Sequence, residues 1–231
     1  MKIIKNEKLI NRNAKIGQYT SLGALAVLGV GMYISFTRPE LFIWAVAALL
    51  VGFTFTQIGM YYGNRWGRSP RPDEKLDAGL KGLPGDFVMY HWKTPVAHLL
   101  VGPAGIWTLI PYHQRGKVTY RNNRWRMGGG GFLQGYMRIF GQEGIGRPDL
   151  EAESEISSIR KALAKEMEID EIPEIQAMLV FTAEGVEIEA EETPIPAQPL
   201  KKLKDFMRNK AKERPITTEE LEKVKAILPE E

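Results

Sequence analysis

The chain has no cysteine. Disulfide stapling, thiolate catalysis and cysteine-based zinc sites are therefore excluded together, although the absence does not fix a compartment. Histidine is nearly missing too: His91, His98 and His113 are all there are. Acids are scarce at the start, with only Glu7 and Glu40 in residues 1–71. No strong charge of one sign is present. The 31 Lys and Arg against 28 Asp and Glu leave a net charge of +3, too little by itself to imply a nucleic-acid partner. No internal repeat is found.

What is present divides unevenly. The 231 residues are 44% hydrophobic and 26% charged, an average globular balance with room for one ordinary domain and extras. The first third is apolar and the rest is charged and mixed. "GQYTSLGALAVLGVGMYISF", Gly17 to Phe36, and "LFIWAVAALLVGFTFTQIGMYYG", Leu41 to Gly63, carry no charge. Each has about the 20 residues that a helix needs to cross a bilayer core. Only Thr37 to Glu40 separates them, so the two spans form an antiparallel hairpin. A cleaved signal peptide fits poorly, because the first run is long and a second follows at once. Gly23, Gly29 and Gly31, with Ala24 and Ala26, suit close helix packing. Lys2, Lys5, Lys8, Arg12 and Lys15 precede the first span, and Arg65, Arg68, Arg71 and Lys75 follow the second. The positive-inside rule then predicts a two-span protein of the cell membrane with both termini cytoplasmic. The same basic flanks suit anionic headgroups. The expected organisation is a basic N-terminus over 1–16, a transmembrane hairpin over 17–63, a linker over 64–71 and a cytoplasmic domain over 72–231.

Within that domain Asp73 suits a helix cap, ahead of Leu76, Leu80 and Leu83 at helical spacing. Asp86 to Trp92, Val96 to Val101 and Gly105 to Tyr112 read as strands. The Gly102 to Ala104 link leaves no room for a crossover helix, so the last two strands are antiparallel neighbours. Lys117 to Met127 reads as a hairpin around Asn122-Asn123, and Gly128 to Pro148 as a loose stretch. Ile156, Ile159, Leu163 and Met167 recur at helical spacing. Asp149 suits a cap and Asp86 a turn. Ile175 to Thr182 is apolar throughout and belongs in the same sheet. A short strand follows Gly185. Helices are expected around Leu200, Leu203, Phe206 and Met207, and after a Thr217/Glu220 capping box. This order of elements is α/β.

"VAHLLVGPAGIWTLIPYHQRGKV", Val96 to Val118, resembles the core of the nuclease-related domain, NERD, a family placed among the restriction-endonuclease-like PD-(D/E)XK nucleases. Its usual core runs approximately Ile-Asp-His, an apolar pair, Val-Gly-Pro-x-Gly, an apolar strand, then Glu-x-Lys and Gly-Lys-Val. In element order the match runs from Asp73 to about Lys212. The resemblance implies a restriction-endonuclease-like domain, a mixed sheet flanked by helices, behind the transmembrane hairpin. In active members the Asp and Glu hold a divalent metal that activates water and stabilises charge on phosphate, and the Lys assists. Here Ala97 stands at the Asp position, Pro111 at the Glu and His113 at the Lys. Glu151 stands at the family's later Gln. Asp73 or Glu74 in the first helix is the acid that could be retained. The frame is expected to be catalytically silent, with no metal and no cofactor. By strand alternation His98 points away from the face of Ala97, and His113 lies past the strand.

Three weaker features complete the reading. Gly128 to Gly131 offers backbone amides but lacks the Lys-Ser/Thr of a P-loop. Arg121, Arg124 and Arg126 flank Trp125, a set able to bind phosphate and stack a base, or simply a charged hairpin edge. Lys201, Lys202, Lys204, Arg208 and Lys210 line a helix that could meet lipid or nucleic acid, or be a solvated face. Three functions follow. The first is a membrane-anchored binding or scaffold module for protein or nucleic acid. The second is an accessory subunit of a larger membrane complex. The third is a nuclease with relocated ligands.

Overall fold

Both charge-free runs are helical in the computed structural model of the chain, which describes residues 1–230 apart from 123, 129–144, 191, 192 and 214. Helix α1 spans Glu7–Thr37. It starts well before the apolar run, because the Asn6 side chain caps it by accepting the Leu9 N–H at 3.1 Å. Residues 7–16 of the basic N-terminus are the first turns of α1. A 3₁₀ turn at Pro39–Leu41 closes the hairpin, and α2 spans Phe42–Tyr62. The expected linker over 64–71 also begins as structure, a π-helical turn at Gly63–Gly67 closed by the Arg68 N–H to the Gly63 carbonyl at 2.9 Å.

The helices approach closely where side chains are small, as membrane helices do. A Cβ at Gly31 would lie 2.8 Å from that of Ala48, and one at Gly52 would meet Leu28 at 2.6 Å. Gly29, expected to help, has nothing within 4 Å. Phe42, Ile43, Trp44, Leu49 and Leu50 are all exposed. Water would penalise such a surface and lipid would not. Two helices are thus long and apolar enough to cross a membrane.

The other folded unit joins Met1–Lys5 to Pro72–Glu231. Its first strand, β1 at Lys2–Lys5, lies before the hairpin in sequence. After helix α3, Pro72–Leu80, come β2 (Val88–His91), β3 (His98–Gly102) and β4 (Gly105–Tyr112). Next are the hairpin β5–β6 (Lys117–Arg121, Arg124–Gly128), helix α4 (Pro148–Leu163) and β7 (Ile175–Phe181). Short strands β8 (Glu187–Glu189) and β9 (Ala197–Pro199) precede α5 (Leu200–Glu213) and α6 (Thr218–Ile227).

Among the described residues the main sheet has the order β1-β2-β3-β4-β7-β9, and a smaller one has β6-β5-β8. The sheet is mixed: β2–β3 and β3–β4 are antiparallel, while β1–β2, β4–β7 and β7–β9 are parallel. Alternation divides its side chains between two layers. Met89, Leu100, Trp107, Leu109 and Met178 pack with Leu76 and Leu80 of α3 and Leu203 and Met207 of α5. Val88, Leu99, Val101, Ile106 and Ile175 pack with Ile159 and Leu163 of α4 and Leu221 and Val224 of α6. The expected adjacency of β3 and β4, and β7's place in the same sheet, are as read. Asp73 sits inside the first turn of α3 rather than capping it. The α4 cap position is Arg147, and Asp149 pairs with that arginine at 2.9 Å.

The Gly-Pro-Ala-Gly turn has local reasons for its sequence. Gly105 has φ +100°, and any Cβ at Gly102 would collide with the Phe87 ring. Only glycine avoids both penalties. The Trp107 indole N–H donates to the Ala104 carbonyl at 2.8 Å, locking the turn onto β4.

Candidate functional site

The two layers place five ionisable groups together under α3. Lys5, His91 and His98 occupy adjacent strands in register: Lys5 lies opposite His91, and His91 opposite His98. Cross-strand partners share a face, here the face covered by α3. Asp73 and Asp77, one helical turn apart, point down from that helix.

Lys5 Nζ is 3.0 Å from Asp73 Oδ2 and 2.5 Å from Asp77 Oδ2. Asp77 Oδ1 accepts from His91 Nε2 at 2.9 Å, and His91 Nδ1 is 2.7 Å from His98 Nδ1. Asp73 and His91 are fully buried, and His98 is 3% exposed. Burial acts to lower the Lys5 pKa, but the hydrogen bonds it donates to Asp77 and Asp73 and the charge of those carboxylates outweigh it, and the net shift is upward. The hydrogen bonds also fix protons. His91 gives its Nε2–H to a carboxylate, so when neutral its Nδ1 is an acceptor. His98 must then be the Nδ1–H donor. Asp77, His91 and His98 thus form one continuous hydrogen-bonded chain, with Lys5 bridging Asp73 and Asp77 at its acidic end.

Trp92 follows His91 with φ +53°, a region that bulky residues seldom occupy. Its N–H donates to the Ala97 carbonyl at 2.9 Å, and its ring lies edge-on to His98, 5.0 Å between centroids. The ring therefore closes the histidine pair at the β2–β3 turn. Among the described residues no three His, Asp or Glu side chains are arranged to hold a metal ion.

The positions flagged by the nuclease resemblance lie on several elements: Asp73 and Glu74 on α3, Pro111 on β4 and Glu151 on α4. Ala97 precedes β3 and uses its carbonyl on Trp92. Pro111 lies on β4 beyond the stretch paired with β3, which ends at Leu99 opposite Thr108. There its missing N–H costs no bond to that neighbour. His113 is exposed. Glu151 accepts from the Tyr112 hydroxyl at 2.6 Å. Burial and that bond push the Tyr112 pKa up. Glu74 lies on α3 beside Asp73, which is taken up by Lys5.

The basic patches lie on the β5–β6 hairpin and on α5. Trp125 is buried and packs on Tyr120 at 5.1 Å. It belongs to the buried cluster with Ile110, Val118 and Leu179. Arg121, Arg124 and Arg126 are exposed on the opposite face of the hairpin. Arg208 donates to the Gly82 carbonyl at 2.8 Å, tying α5 to the end of α3. Lys201, Lys202 and Lys204 remain outward or half-buried, Lys201 at 3.9 Å from Glu184. Of Gly128 to Gly131, all but Gly128 lie outside the described residues.

No family model, curated protein or solved structure matches this chain. The histidine–carboxylate cluster is what sequence reading missed. Its histidines are seven residues apart, and a β-turn centred near Thr94 and Pro95 would have brought them opposite each other. Lys5 gave no signal, because its strand is separated from the sheet by the entire hairpin.

Proposed function

We propose that this chain is a membrane-anchored binding or scaffold module built on a nuclease-related core that does not cleave nucleic acid. One observation carries the reading: Ala97 and Pro111, at the family's two carboxylate positions, bring no side-chain oxygen to a magnesium ion. Magnesium held by fewer carboxylates keeps its own waters, and without it the charge developing on phosphate is uncompensated. The order α3, β2-β3-β4 meander, α4, then β7 parallel to β4 is in keeping with a restriction-endonuclease-like core. Both termini cytoplasmic is part of the proposal, supported by the basic flanks.

The test uses the full chain in mild detergent, since β1 belongs to the sheet. Single- and double-stranded DNA and RNA are incubated with magnesium or manganese, with His113→Ala alongside to reveal a contaminant. No metal-dependent cleavage is expected. Cleavage that needs metal and disappears in His113→Ala would establish a relocated active site and overturn the proposal. Binding to nucleic acid, if that is the ligand, would weaken steeply with salt. A protein ligand would show little of that dependence.

A further inference from the structure

At the end of the hairpin where α1 begins and α2 runs out, a groove of about 540 Å³ opens between the helices. Its polar lining is Asn11, Lys15, Gln18 and Ser21 of α1, with Arg68 from just beyond the π-helical turn. No acid lines it. The only acids between residues 6 and 71 are Glu7 and Glu40, and Glu40 pairs with Arg38 at the distant turn. Glycines at 17, 59, 63 and 67, with Ala14 and Met60, form the rest of the wall. A Cβ at Gly59 would collide with the Ser21 hydroxyl, so side-chain-free backbone is what gives the groove its shape. The π turn adds a second mark, since such turns are rare and often functional.

Depth decides the ligand. Lys15 is the last charge before the run Gly17 to Phe36, and Arg68 lies shortly after the run ending at Gly63. Two spans therefore set both cations at headgroup level. Tyr61, Tyr62 and Trp66 cluster beside them, with ring centroids 5.3 to 5.8 Å apart, as aromatic residues do at a membrane interface. Arg65 is occupied over the Trp66 ring at 5.1 Å. Lys15 and Arg68 are left facing the groove.

We propose that this groove binds the headgroup of an anionic phospholipid. Arg68 would take two phosphate oxygens through its planar fork and Lys15 would add a point charge. Asn11, Gln18 and Ser21 would serve the remaining oxygens and the headgroup hydroxyls. The proposal rests on the membrane-anchor reading, and the test separates the two.

The full chain is reconstituted into vesicles of equal phosphatidylcholine and phosphatidylglycerol. It is then transferred to mild detergent, and retained lipids are counted by native mass spectrometry. The wild type should keep phosphatidylglycerol in preference. Lys15→Gln with Arg68→Gln should cut that preference roughly 30-fold, the order expected from losing two cations near an anionic surface. Lys8→Gln with Arg12→Gln, an equal charge loss outside the groove, should leave it within about twofold. Equal losses in the two double variants would mean diffuse surface charge and no site. No preference in the wild type would also overturn the proposal. Displacement by millimolar inorganic phosphate or glycerol 3-phosphate would make this a soluble-phosphate site instead. Release of the wild type from vesicles by alkaline carbonate would refute the anchor itself. Retention without lipid preference would refute only the lipid site.

Discussion

His91 has its proton placement dictated from both sides. Asp77 takes its Nε2–H, and only 2.7 Å separates its Nδ1 from that of His98. Two N–H groups cannot face each other at that distance, so one proton is shared. Nitrogen-15 NMR of histidine-labelled protein should find a proton on His91 Nε2 and a single proton between the two Nδ1 atoms. Both rings in the Nε2–H form would contradict the geometry. Lys5 allows a second prediction. Lys5→Met leaves two carboxylates, one fully buried, without their cation and should cost about 3 kcal/mol. Hydrogen exchange at Val88–His91 should accelerate by roughly 100-fold, while Lys5→Arg should cost much less. Unchanged exchange in Lys5→Met would make the cluster incidental. The pH dependence has a definite sign. The folded pKa of Lys5 lies above its ordinary 10.5. Its stabilisation is therefore complete below about pH 10.5 and fades as pH climbs through the folded value.

At the scale of elements, β1 is the strand on which most depends. It covers the β2 edge, which would otherwise present unpaired N–H and C=O groups from Val88 to His91. The isolated segment Pro72–Glu231 should therefore be less stable and more prone to self-association than a version with residues 1–5 joined by a short flexible linker ahead of Pro72. Light scattering and thermal unfolding of the two would decide it, and equal behaviour would show that β1 is dispensable. The capping box offers a smaller test. Thr217 accepts the Glu220 N–H at 3.2 Å, while Glu220 accepts the Thr217 N–H at 3.0 Å, so Thr217→Ala should cost about 1 kcal/mol. That box was legible in sequence, as were β3, β4, β7 and the α4 periodicity, because each is a local pattern of apolar spacing or turn chemistry. What was not legible depends on distance along the chain. Lys2–Lys5 is too short and too charged to announce a strand. β9, Ala197–Pro199, has little apolar character, and only its parallel pairing with β7 makes it one. Trp125 looked like a surface aromatic among arginines. Alternation on β6 turns it inward while its neighbours point out.

For the whole molecule, the absence of cysteine makes topology directly measurable. A cysteine replacing Thr37 should be labelled by a membrane-impermeant reagent added outside the cell, and one replacing Ser69 should not. The reverse result would turn the protein over and place the domain outside. Either way, the domain's own sheet restricts the possible outcomes. Residues 2–5 and 88–91 are hydrogen-bonded neighbours, yet the ribosome releases one before the two apolar helices and the other after them. A chain that inserts only a single helix leaves those segments in different aqueous compartments, and the sheet keeps an open edge. On the proposed two-span reading, pairing of β1 with β2 requires both segments on one side of the membrane, so a copy with one helix inserted would keep the exposed strand edge that chaperones and proteases recognise.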